Sequence, residues 1–318
     1  MKEPRVSIII PVYNGSNYIA DAIECALNQT YANKEVIVVN DGSTDDGKTE
    51  QIALSYGERI RYYSKANGGV SSALNYGISK MTGEYFSWLS HDDGYSPTKL
   101  EDSVKLLDKY QQIGKKCIAF TSGYYIDANN KKIKNFPTYF KSDRVYSGLE
   151  CVRTMTRKGT LNGCCMLIPA YAFSETRLFH EGLRYSQDLL MWYQLFLDGY
   201  SLISDNHPNV MYRLHRMQAS QNNRHLYEHD AYEIADLLAP SLLENDSTGE
   251  IIYRYTKRLT RNRCDKAIEY LIEYMKGAGV LTVKRRISLK MAMLFGRIRY
   301  NLVSRVKRLI LGVRTAKS

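Results

Sequence analysis

The first 122 residues alternate short apolar strand patterns with helical patterns, and this alternation constrains the fold more than any other feature of the sequence. Residues 6–12 form a β-branched apolar run that ends at Asn14-Gly15, which is typical of a strand buried on both faces. Further strand patterns lie at residues 35–39, 59–64, 85–89 and 117–122. Strands that alternate with helices predict an α/β domain with a mainly parallel sheet, whose ligands bind at the carboxyl ends of the strands.

Beyond residue 122 the alternation gives way to a less regular pattern. Residues 127–131 (DANNK) are typical of a hairpin turn, and the last strand-like segment lies at residues 210–214. Two helical patterns follow, at about residues 222–243 and 249–276. We therefore predict an all-helical C-terminal region that begins near residue 220.

The cysteines and the apolar runs bear on the cellular compartment. The six cysteines form no CxxC pair, and the adjacent Cys164 and Cys165 do not readily bridge to each other. The apolar run near the start is too short for a signal peptide, and no stretch reaches the roughly 18 apolar residues that span a bilayer. We expect a protein of a reduced compartment, the cytoplasm.

Three acidic turns follow predicted strands: Asn40-Asp41, Asp45-Asp46 and His91-Asp92-Asp93. Aspartate is common in turns for conformational reasons alone. The carboxyl ends of parallel strands meet at one edge of a sheet, however, so these carboxylates are expected to converge there. Hard oxygen ligands of this kind hold divalent metals, and such an edge is suited to a nucleoside diphosphate.

A second nucleotide-binding pattern overlaps these turns. Residues 42–49 (GSTDDGKT) satisfy the P-loop pattern G-x-x-x-x-G-K-[ST] and directly follow a predicted strand. A P-loop wraps backbone N–H groups around phosphates, whereas here Asp45 and Asp46 would lie inside the anion site. A P-loop nucleotidase that uses Gly42 to Thr49 is therefore the less favoured alternative.

Several motifs occur in an order that resembles family 2 glycosyltransferases. They are VSIIIPVYN, EVIVVNDGSTDD, KANGG, GEYFSWLSHDD with Pro97, LNGCCMLI, Gln187-Asp188 and YRLHRMQAS. The resemblance covers about residues 5–220 and implies a GT-A fold. It implies transfer of a sugar, with inversion, from a nucleotide-sugar donor, with uridine diphosphate favoured as the carrier. The implied acceptor is a saccharide or lipid-linked saccharide, as in the synthesis of cell-surface polysaccharide.

The resemblance also divides the chain. Residues 1–220 would form the GT-A domain, with a nucleotide-sugar part at about 1–122 and an acceptor part at about 123–220. Residues 221–279 would follow as a helical region and residues 280–318 as a basic amphipathic tail. Tyrosines are frequent in the acceptor part, and their faces suit sugar rings; the candidates are Tyr124, Tyr125, Tyr139 and Tyr146.

The resemblance assigns a nucleotide pocket to the first three strand ends. Pro11, Tyr13 and Asn14 would line this pocket, with the Tyr13 ring against the base. Asp41 would accept a hydrogen bond from the base N–H. Lys65 and Asn67, in the third strand-to-helix turn, would complete the pocket.

The segment Leu89-Ser90-His91-Asp92-Asp93 occupies the place of the D-x-D motif in the resembled family. Ser90 stands where the first Asp usually contacts the ribose, and a hydroxyl makes a weaker hydrogen bond there than a carboxylate does. Ser90 and His91 are assigned to the nucleotide-sugar pocket. Asp92 keeps the metal-contacting position, and His215, in YRLHRMQAS, resembles the residue that reaches the diphosphate or metal. The resemblance therefore implies a divalent cofactor, Mn²⁺ or Mg²⁺.

Transfer requires a base that takes the proton of the acceptor hydroxyl. Asp188 matches the second residue of the Glu-Asp pair that precedes a helix in the resembled family, and it is the candidate for this role. Gln187 replaces the Glu of that pair. The departures at Ser90 and Gln187 leave a second alternative open, a non-catalytic nucleotide-sugar or membrane-binding module.

The net charge of +11 comes from the C-terminal tail. After residue 279 the chain carries 11 Lys or Arg and no Asp or Glu, whereas the rest balances 33 bases against 33 acids. Apolar residues recur every three or four positions; they are Ile287, Met291, Leu294, Ile298, Leu302, Val306, Leu309 and Val313. This pattern predicts a basic amphipathic helix that binds an anionic membrane surface through residues 284–314. Packing on the protein's own body is the alternative.

Together with the lipid-linked acceptors that the resemblance implies, the tail predicts a peripheral protein on the inner face of the cell membrane. No nucleic-acid partner is expected.

Overall fold

The chain forms two compact units, residues 1–222 and 223–318. The structure, a computed structural model, describes residues 3–110, 116–173, 177–215 and 224–311. Within these ranges the first unit contains all the strands, and the second consists of helices.

One mixed sheet of ten strands forms the first unit. The strands are β1 (Val6–Val12), β2 (Lys34–Asn40), β3 (Arg61–Ser64), β4 (Tyr85–Trp88), β5 (Gly94–Tyr95), β6 (Cys117–Ile126), β7 (Lys132–Asn135), β8 (Arg144–Tyr146), β9 (Met166–Pro169) and β10 (Ser201–Arg213). Their order is β3-β2-β1-β4-β9-β6-β10-β5, with β7 paired to β6 and β8 paired to β10.

The first four strands form the parallel half of the sheet. β1 pairs in parallel with β2 and β4, and β2 pairs in parallel with β3. The helices of this half are α1 (Ile19–Leu27), α2 (Lys48–Leu54) and α3 (Gly69–Lys80). Every residue of β1 is buried, which explains its unbroken apolar run. The parallel direction brings the turns after β1, β2 and β4 to one edge of the sheet.

The second half of the sheet mixes strand directions. β9 lies between β4 and β6 and is antiparallel to both, whereas β6 and β10 are parallel. β10 is longer than the predicted strand at residues 210–214, because its first part pairs with β6 and β8. The predicted hairpin turn is confirmed: the Asp127 N–H donates to the Lys131 carbonyl at 3.0 Å, and β6 and β7 pair antiparallel.

Three further helices pack in the first unit: α4 (Lys99–Lys109), α5 (Gly148–Lys158) and α6 (Gln187–Leu197). α6 is buried over most of its length, and the indole N–H of Trp192 donates to the Leu161 carbonyl at 3.1 Å. This bond fixes α6 to the segment that leads into β9. All six cysteines are free.

The helical unit contains α7 (Arg224–Glu244), α8 (Glu250–Leu259), α9 (Asp265–Gly277) and α10 (Val283–Leu311). The single helix predicted at residues 249–276 is wrong, because the chain turns between α8 and α9. Arg263 adopts a left-handed backbone conformation there, with φ 58°, which a continuous helix does not allow. Among the described residues, no helix combines the length and the apolarity needed to cross a membrane.

Two faces of α10 differ in their surroundings. On one face Leu289 is fully buried, Ser288 receives a hydrogen bond from the Tyr253 hydroxyl at 2.9 Å, and Arg285 pairs with Glu250 at 2.9 Å. Another face exposes large apolar side chains; these are Val283, Ile287, Met291, Leu294, Phe295 and Ile298. The helix therefore packs on α8 and still presents an apolar stripe. Residues 312–318, including Val313 and Arg314 of the predicted tail, lie outside the described residues.

Candidate active site

The turn after β1 carries the first predicted nucleotide-pocket residues. Pro11 is buried in β1, whereas Tyr13 is 46% exposed. Asn14 has a left-handed backbone, with φ 50°, and its side-chain oxygen accepts a hydrogen bond from the Thr44 backbone N–H at 2.7 Å. The Asn14 backbone N–H donates to Ser43 Oγ at 2.9 Å. These bonds tie the turn to the loop after β2 and leave the Tyr13 ring accessible.

Asp41, directly after β2, is buried and fully engaged by hydrogen bonds. Lys65 Nζ lies 2.9 Å from Oδ1, and the backbone N–H groups of Gly68 and Gly69 donate to the carboxylate oxygens at distances between 2.7 and 3.2 Å. Asn67 Nδ2 donates to the Asp41 carbonyl at 2.8 Å. The carboxylate therefore stabilises the N-terminus of α3, where the helix dipole favours negative charge. Asp41, Lys65 and Asn67, predicted for one pocket, are in direct contact.

The P-loop pattern forms a loop in which one of its own carboxylates occupies the position of the anion. Asp45 Oδ2 accepts hydrogen bonds from the Thr49 backbone N–H at 3.1 Å and from Thr49 Oγ1 at 2.6 Å. Thr49 Oγ1 in turn accepts the Gly15 N–H at 2.9 Å, and Lys48 is exposed. A carboxylate thus fills the N-terminus of α2, where a P-loop would hold phosphate. This geometry disfavours the P-loop alternative.

The turn after β4 is anchored by its last acid. Asp93 is buried; its Oδ1 accepts the Arg213 backbone N–H at 3.0 Å, and Cys164 Sγ lies 3.6 Å from its Oδ2. Burial, reinforced by the neighbouring Asp92 carboxylate, raises the pKa of Asp93 well above its usual range. Ser90 Oγ lies 3.6 Å from the same Cys164 sulfur. The anchor leaves Ser90 and Asp92 partly exposed at the sheet edge.

His91 joins the β4 turn to the β1 turn. A methyl group at Gly15 would approach His91 Cδ2 to 2.5 Å, so only glycine allows the ring to pack there. Burial lowers the pKa of His91, although the Asp92 carboxylate opposes this shift. The contact places two predicted parts of the nucleotide-sugar pocket side by side.

Asp92 and His215 form a close pair. Asp92 Oδ2 lies 2.9 Å from Nε2 of His215, two residues after β10, and the side chains are 14% and 11% exposed. The Tyr18 ring lies against His215, with 5.1 Å between centroids. The two residues predicted as metal ligands are therefore together. Gln218 and Ser220, from the same motif, lie outside the described residues.

The Asp92–His215 pair fits a divalent cation that a nucleotide also binds. One carboxylate oxygen and one imidazole nitrogen at this spacing can share an ion, with diphosphate oxygens as further ligands. Asp41 does not contribute, because its oxygens are engaged elsewhere. Within the described ranges, no group of three or more His, Cys, Asp or Glu side chains is arranged to hold a metal.

Asp188, the predicted base, lies in the first turn of α6. Its Oδ1 accepts the Leu189 backbone N–H at 2.7 Å, and burial outweighs this bond and raises the pKa of Asp188 to about 6. One turn later, Trp192 packs with Trp88 of β4 around Gly163; a methyl group at Gly163 would approach Trp88 Cε3 to 2.6 Å and Trp192 Cζ2 to 3.1 Å. α6 is thus packed against the strand that leads to Ser90.

Gln187, which precedes Asp188, is buried. Its Oε1 has no hydrogen-bond partner in the part of the chain that the structure describes. A buried acceptor of this kind is destabilising unless a ligand or water satisfies it.

The predicted acceptor tyrosines separate into two groups. Tyr146 is buried, and its hydroxyl accepts the Lys141 N–H at 2.7 Å. Tyr124, Tyr125 and Tyr139 are partly exposed, and the Tyr125 ring packs with Phe136 at 4.8 Å between centroids. Tyr146 is thus a core residue, whereas the other three remain accessible to an acceptor.

Arg213, to which the sequence assigned no role, is a further residue of the site. Its guanidinium is buried, donates from Nε to the Asp92 carbonyl at 2.9 Å, and lies 4.5 Å from the Tyr18 ring centroid. Arg213 belongs to the motif YRLHRMQAS, but its contacts come from distant parts of the chain. Only the folded structure shows that it adjoins both Asp92 and, through Tyr18, His215.

Comparison with known proteins supports the family resemblance. The family model described as Glycosyl transferase family 2 matches residues 7–173, more than half of the chain. An uncharacterized glycosyltransferase of Rickettsia felis is 48% identical over 194 residues, which are 60% of this chain and 31% of that protein. Another, from Rickettsia typhi, is 46% identical over 233 residues, which are 72% of this chain and 70% of that protein. The chain thus spans less than a third of the Rickettsia felis relative.

The fold also has a close counterpart among solved structures. A crystal structure of S. aureus TarS 1–349 in complex with UDP-GlcNAc matches with a TM-score of 0.71 and 17% identity, covering 94% of this chain and 92% of that chain. At this identity the likeness concerns the fold alone, and it confirms the predicted GT-A domain followed by a helical region. Sequence motifs, sheet topology and the match over residues 7–173 agree: the chain belongs to glycosyl transferase family 2.

Proposed function

We propose that the chain transfers a sugar, with inversion, from a uridine diphosphate sugar to a hydroxyl of a saccharide or lipid-linked saccharide acceptor in cell-surface polysaccharide synthesis. The observation that carries this proposal is the pairing of Asp92 and His215, 2.9 Å apart at the edge where β4 and β10 end. The UDP-GlcNAc bound to the structurally similar TarS supports the choice of nucleotide.

In this proposal the parallel half of the sheet binds the nucleoside. The accessible Tyr13 ring stacks on the base, and Asn14 keeps the loop around it in place. Asp41, Lys65 and Asn67 form the floor of the pocket, because their mutual bonds leave a rigid polar surface. Pro11 supports this surface from the core, and Ser90 and His91 line the ribose and sugar side.

The leaving diphosphate needs its charge neutralised. Asp92 and His215 would hold a divalent ion, Mn²⁺ or Mg²⁺, and the bound ion supplies positive charge to the diphosphate oxygens. Ser90 donates a hydrogen bond to a ribose or sugar hydroxyl in place of the carboxylate usual at this position.

Asp188 acts as the base. It takes the proton of the acceptor hydroxyl while the hydroxyl oxygen attacks the anomeric carbon from the face opposite the diphosphate, and the carbon–oxygen bond to the diphosphate breaks. A pKa of about 6 makes the carboxylate largely ionised at pH 7 and more basic than an ordinary aspartate. We therefore expect kcat/KM to rise with pH through about 6 and to level off above it. Asp188→Asn should abolish turnover and leave nucleotide binding intact.

Calorimetric titration tests the proposal against both alternatives. UDP, GDP, dTDP and ATP are titrated into the full chain with and without Mn²⁺. Mn²⁺-dependent uptake of UDP that is lost in Asp92→Ala supports the transferase. Tight ATP binding that is lost in Lys48→Ala would instead support the alternative function, a P-loop nucleotidase. UDP binding without any turnover, unaffected by Asp188→Asn, would indicate a non-catalytic binding module.

We also propose that α10 attaches the protein to the inner face of the cell membrane from the cytoplasmic side. Its exposed apolar stripe, with Leu294 at 52% and Phe295 at 61% exposure, lies among the exposed bases Lys284, Arg286 and Lys290. Apolar side chains with flanking cations suit an anionic lipid surface.

Vesicle sedimentation with phosphatidylcholine, with and without phosphatidylglycerol, tests this attachment. Binding of the full chain to anionic vesicles should be lost in a Leu294→Glu/Phe295→Glu variant. Leu237→Glu, which changes a similarly exposed leucine on α7, is the matched control and should still sediment. Equal sedimentation of all three proteins would contradict the proposal.

A further inference from the structure

A single buried arginine at the end of β10 connects its own strand to three other segments of the first unit. Arg213 Nε donates to the Asp92 carbonyl at 2.9 Å, and Nη1 donates to Asn130 Oδ1 at 2.6 Å. Nη2 lies 3.3 Å from Asp21 Oδ2 in α1, and the guanidinium lies over the Tyr18 ring. The Arg213 side chain is only 3% exposed. Its contacts therefore come from the β4 turn, the hairpin between β6 and β7, and α1.

We infer that Arg213 is a positioning residue for the Asp92–His215 pair, and that the hairpin turn at residues 127–131 helps to set nucleotide affinity through Asn130. The inference rests on the proposed function, because the pair is taken as the metal and diphosphate site. It adds a residue and a loop that do not themselves touch the ligand.

The geometry supports positioning over simple stabilisation. The Arg213 guanidinium donates a hydrogen bond to the backbone carbonyl of Asp92. The backbone N–H of Arg213 donates to the carboxylate of the adjacent Asp93 at 3.0 Å. The Tyr18 ring centroid lies 4.5 Å from the guanidinium and 5.1 Å from the His215 ring centroid, so both groups contact the same ring. Both members of the pair thus depend on where this one side chain lies. Movement of the guanidinium would change the spacing between Asp92 Oδ2 and His215 Nε2.

The chemistry of the contacts explains why arginine is needed here. A guanidinium presents donors in fixed, divergent directions, and Arg213 uses them for a carbonyl, an amide oxygen and a carboxylate on different segments. Lysine has one nitrogen at the end of a flexible stem and cannot span these three acceptors. Burying this cation is costly unless its donors are satisfied. The turn residue Asn130 is therefore part of the support.

The hairpin offers a matched pair of substitutions. Asn129 and Asn130 are both exposed, but among the described residues only the Asn130 side chain of this pair accepts a hydrogen bond from Arg213, through Oδ1. Asn130 has φ 65°, a conformation that glycine adopts without strain. Asn130→Gly therefore removes the bond without distorting the turn. Asn129→Gly is the control for added backbone freedom.

The experiment measures UDP affinity of the full chain by calorimetry, with Mn²⁺ and with EDTA. Asn130→Gly should raise the Kd for UDP in Mn²⁺ about threefold to tenfold, as expected when one hydrogen bond to a charged group is lost in part. Its Kd in EDTA and its melting temperature should match those of Asn129→Gly. Arg213→Lys should raise the Kd for UDP in Mn²⁺ further and also lower the melting temperature, because one ammonium cannot satisfy these three acceptors.

A second readout uses the metal-free protein. Hydrogen exchange of a peptide covering residues 89–95 should be faster in Asn130→Gly than in Asn129→Gly, because the β4 turn has lost part of its support. If the wild type binds UDP in Mn²⁺ while the two glycine variants behave alike, the inference is wrong and the proposed function stands. If the wild type shows no Mn²⁺-dependent UDP binding, both the proposed function and the inference are wrong.

Discussion

Asp41 follows β2 and Asp92 lies in the turn after β4, at the same edge of the sheet, and yet the surroundings of their carboxylates differ. Asp41 receives hydrogen bonds from Lys65, Gly68 and Gly69, so that both its oxygens are engaged within the protein. Asp92 meets a single imidazole, that of His215, at 2.9 Å and remains partly exposed. The first carboxylate stabilises the loops around it, whereas the second retains capacity for a ligand.

This difference teaches that an acid at a strand end is not by itself a metal ligand. The backbone amides at the start of α3 make Asp41 a structural anion, because they supply the positive potential that a metal would otherwise provide. Among the hydrogen bonds of the described residues, none joins the Asp92 carboxylate to a helix N-terminus. The Asp92 carboxylate meets the His215 imidazole instead, and a ring nitrogen can share a cation with a carboxylate oxygen.

The largest effect should come from removing the open carboxylate. Asp92→Ala is expected to lower kcat/KM for a UDP-sugar about a thousandfold, because a metal at a developing diphosphate charge contributes several kcal/mol. The free energy of unfolding should change little, since within the described residues His215 is the one group that forms a hydrogen bond with the Asp92 side chain. Steady-state kinetics and urea unfolding measure the two effects. Glu58→Ala, which removes an exposed acid, is the control. An equal loss of stability in Asp41→Ala and Asp92→Ala would contradict the distinction between an engaged and an open carboxylate.

Removing the engaged carboxylate should lower the free energy of unfolding, which Asp92→Ala leaves nearly unchanged. Asp41→Ala leaves the Lys65 ammonium and two backbone N–H groups without their acceptor, which is expected to cost about 3 kcal/mol of unfolding free energy. Urea denaturation followed by circular dichroism measures this loss. In the Lys65→Ala background the cost should be smaller, because one of the orphaned groups is gone. A wild-type urea midpoint for Asp41→Ala would mean that its bonds contribute nothing to the fold.

The parallel half of the fold could be predicted from sequence, because a strand that is buried on both faces has an unbroken apolar sequence, as β1 does. The second half could not be predicted as fully. β9 is short, and its antiparallel place between β4 and β6 depends on contacts between distant segments. The break between α8 and α9 depends on one left-handed residue, Arg263, whose side chain carries no signal for that conformation.

The candidate site shows the same division. Asp92 and His215 belong to ordered motifs, so the resemblance identified them, and the fold brings them together. Arg213 lies within such a motif, yet its partners Asp21 and Asn130 are far away along the chain. The full engagement of Asp41 likewise depends on amides of a different loop. The sequence pattern predicts that these acids lie at strand ends. Tertiary contacts decide whether their carboxylates remain free to bind a ligand.

A third acid, Glu35, extends the comparison of Asp41 with Asp92, because its carboxylate is engaged by hydrogen bonds and lies far from the candidate site. Glu35 is at the opposite end of β2 from Asp41; burial would raise its pKa, but hydrogen bonds from Ser7, Thr82 and Arg61 lower it to about 2. A depressed carboxyl pKa stabilises the fold above the unfolded value of about 4.5, and this contribution is lost as the pH falls toward 2. We expect about 2 kcal/mol to be lost between pH 7 and pH 3 from this group. In Glu35→Gln that part of the pH dependence should vanish, with nucleotide affinity unchanged; a lower UDP affinity would mean that engaged acids also act at the site.

The smallest effect is expected from the lysine of the P-loop pattern. Lys48 is exposed, and the N-terminus of α2 beside it is filled by the Asp45 carboxylate through Thr49. Lys48→Ala should therefore change the free energy of unfolding by no more than about 0.5 kcal/mol, as usual for an exposed side chain. Its affinity for UDP and for ATP, measured by calorimetry, should equal that of the wild type. Loss of tight ATP binding in this variant would mean that Asp45 gives way to phosphate, and the loop after β2 would then be the ligand site rather than the turn after β4.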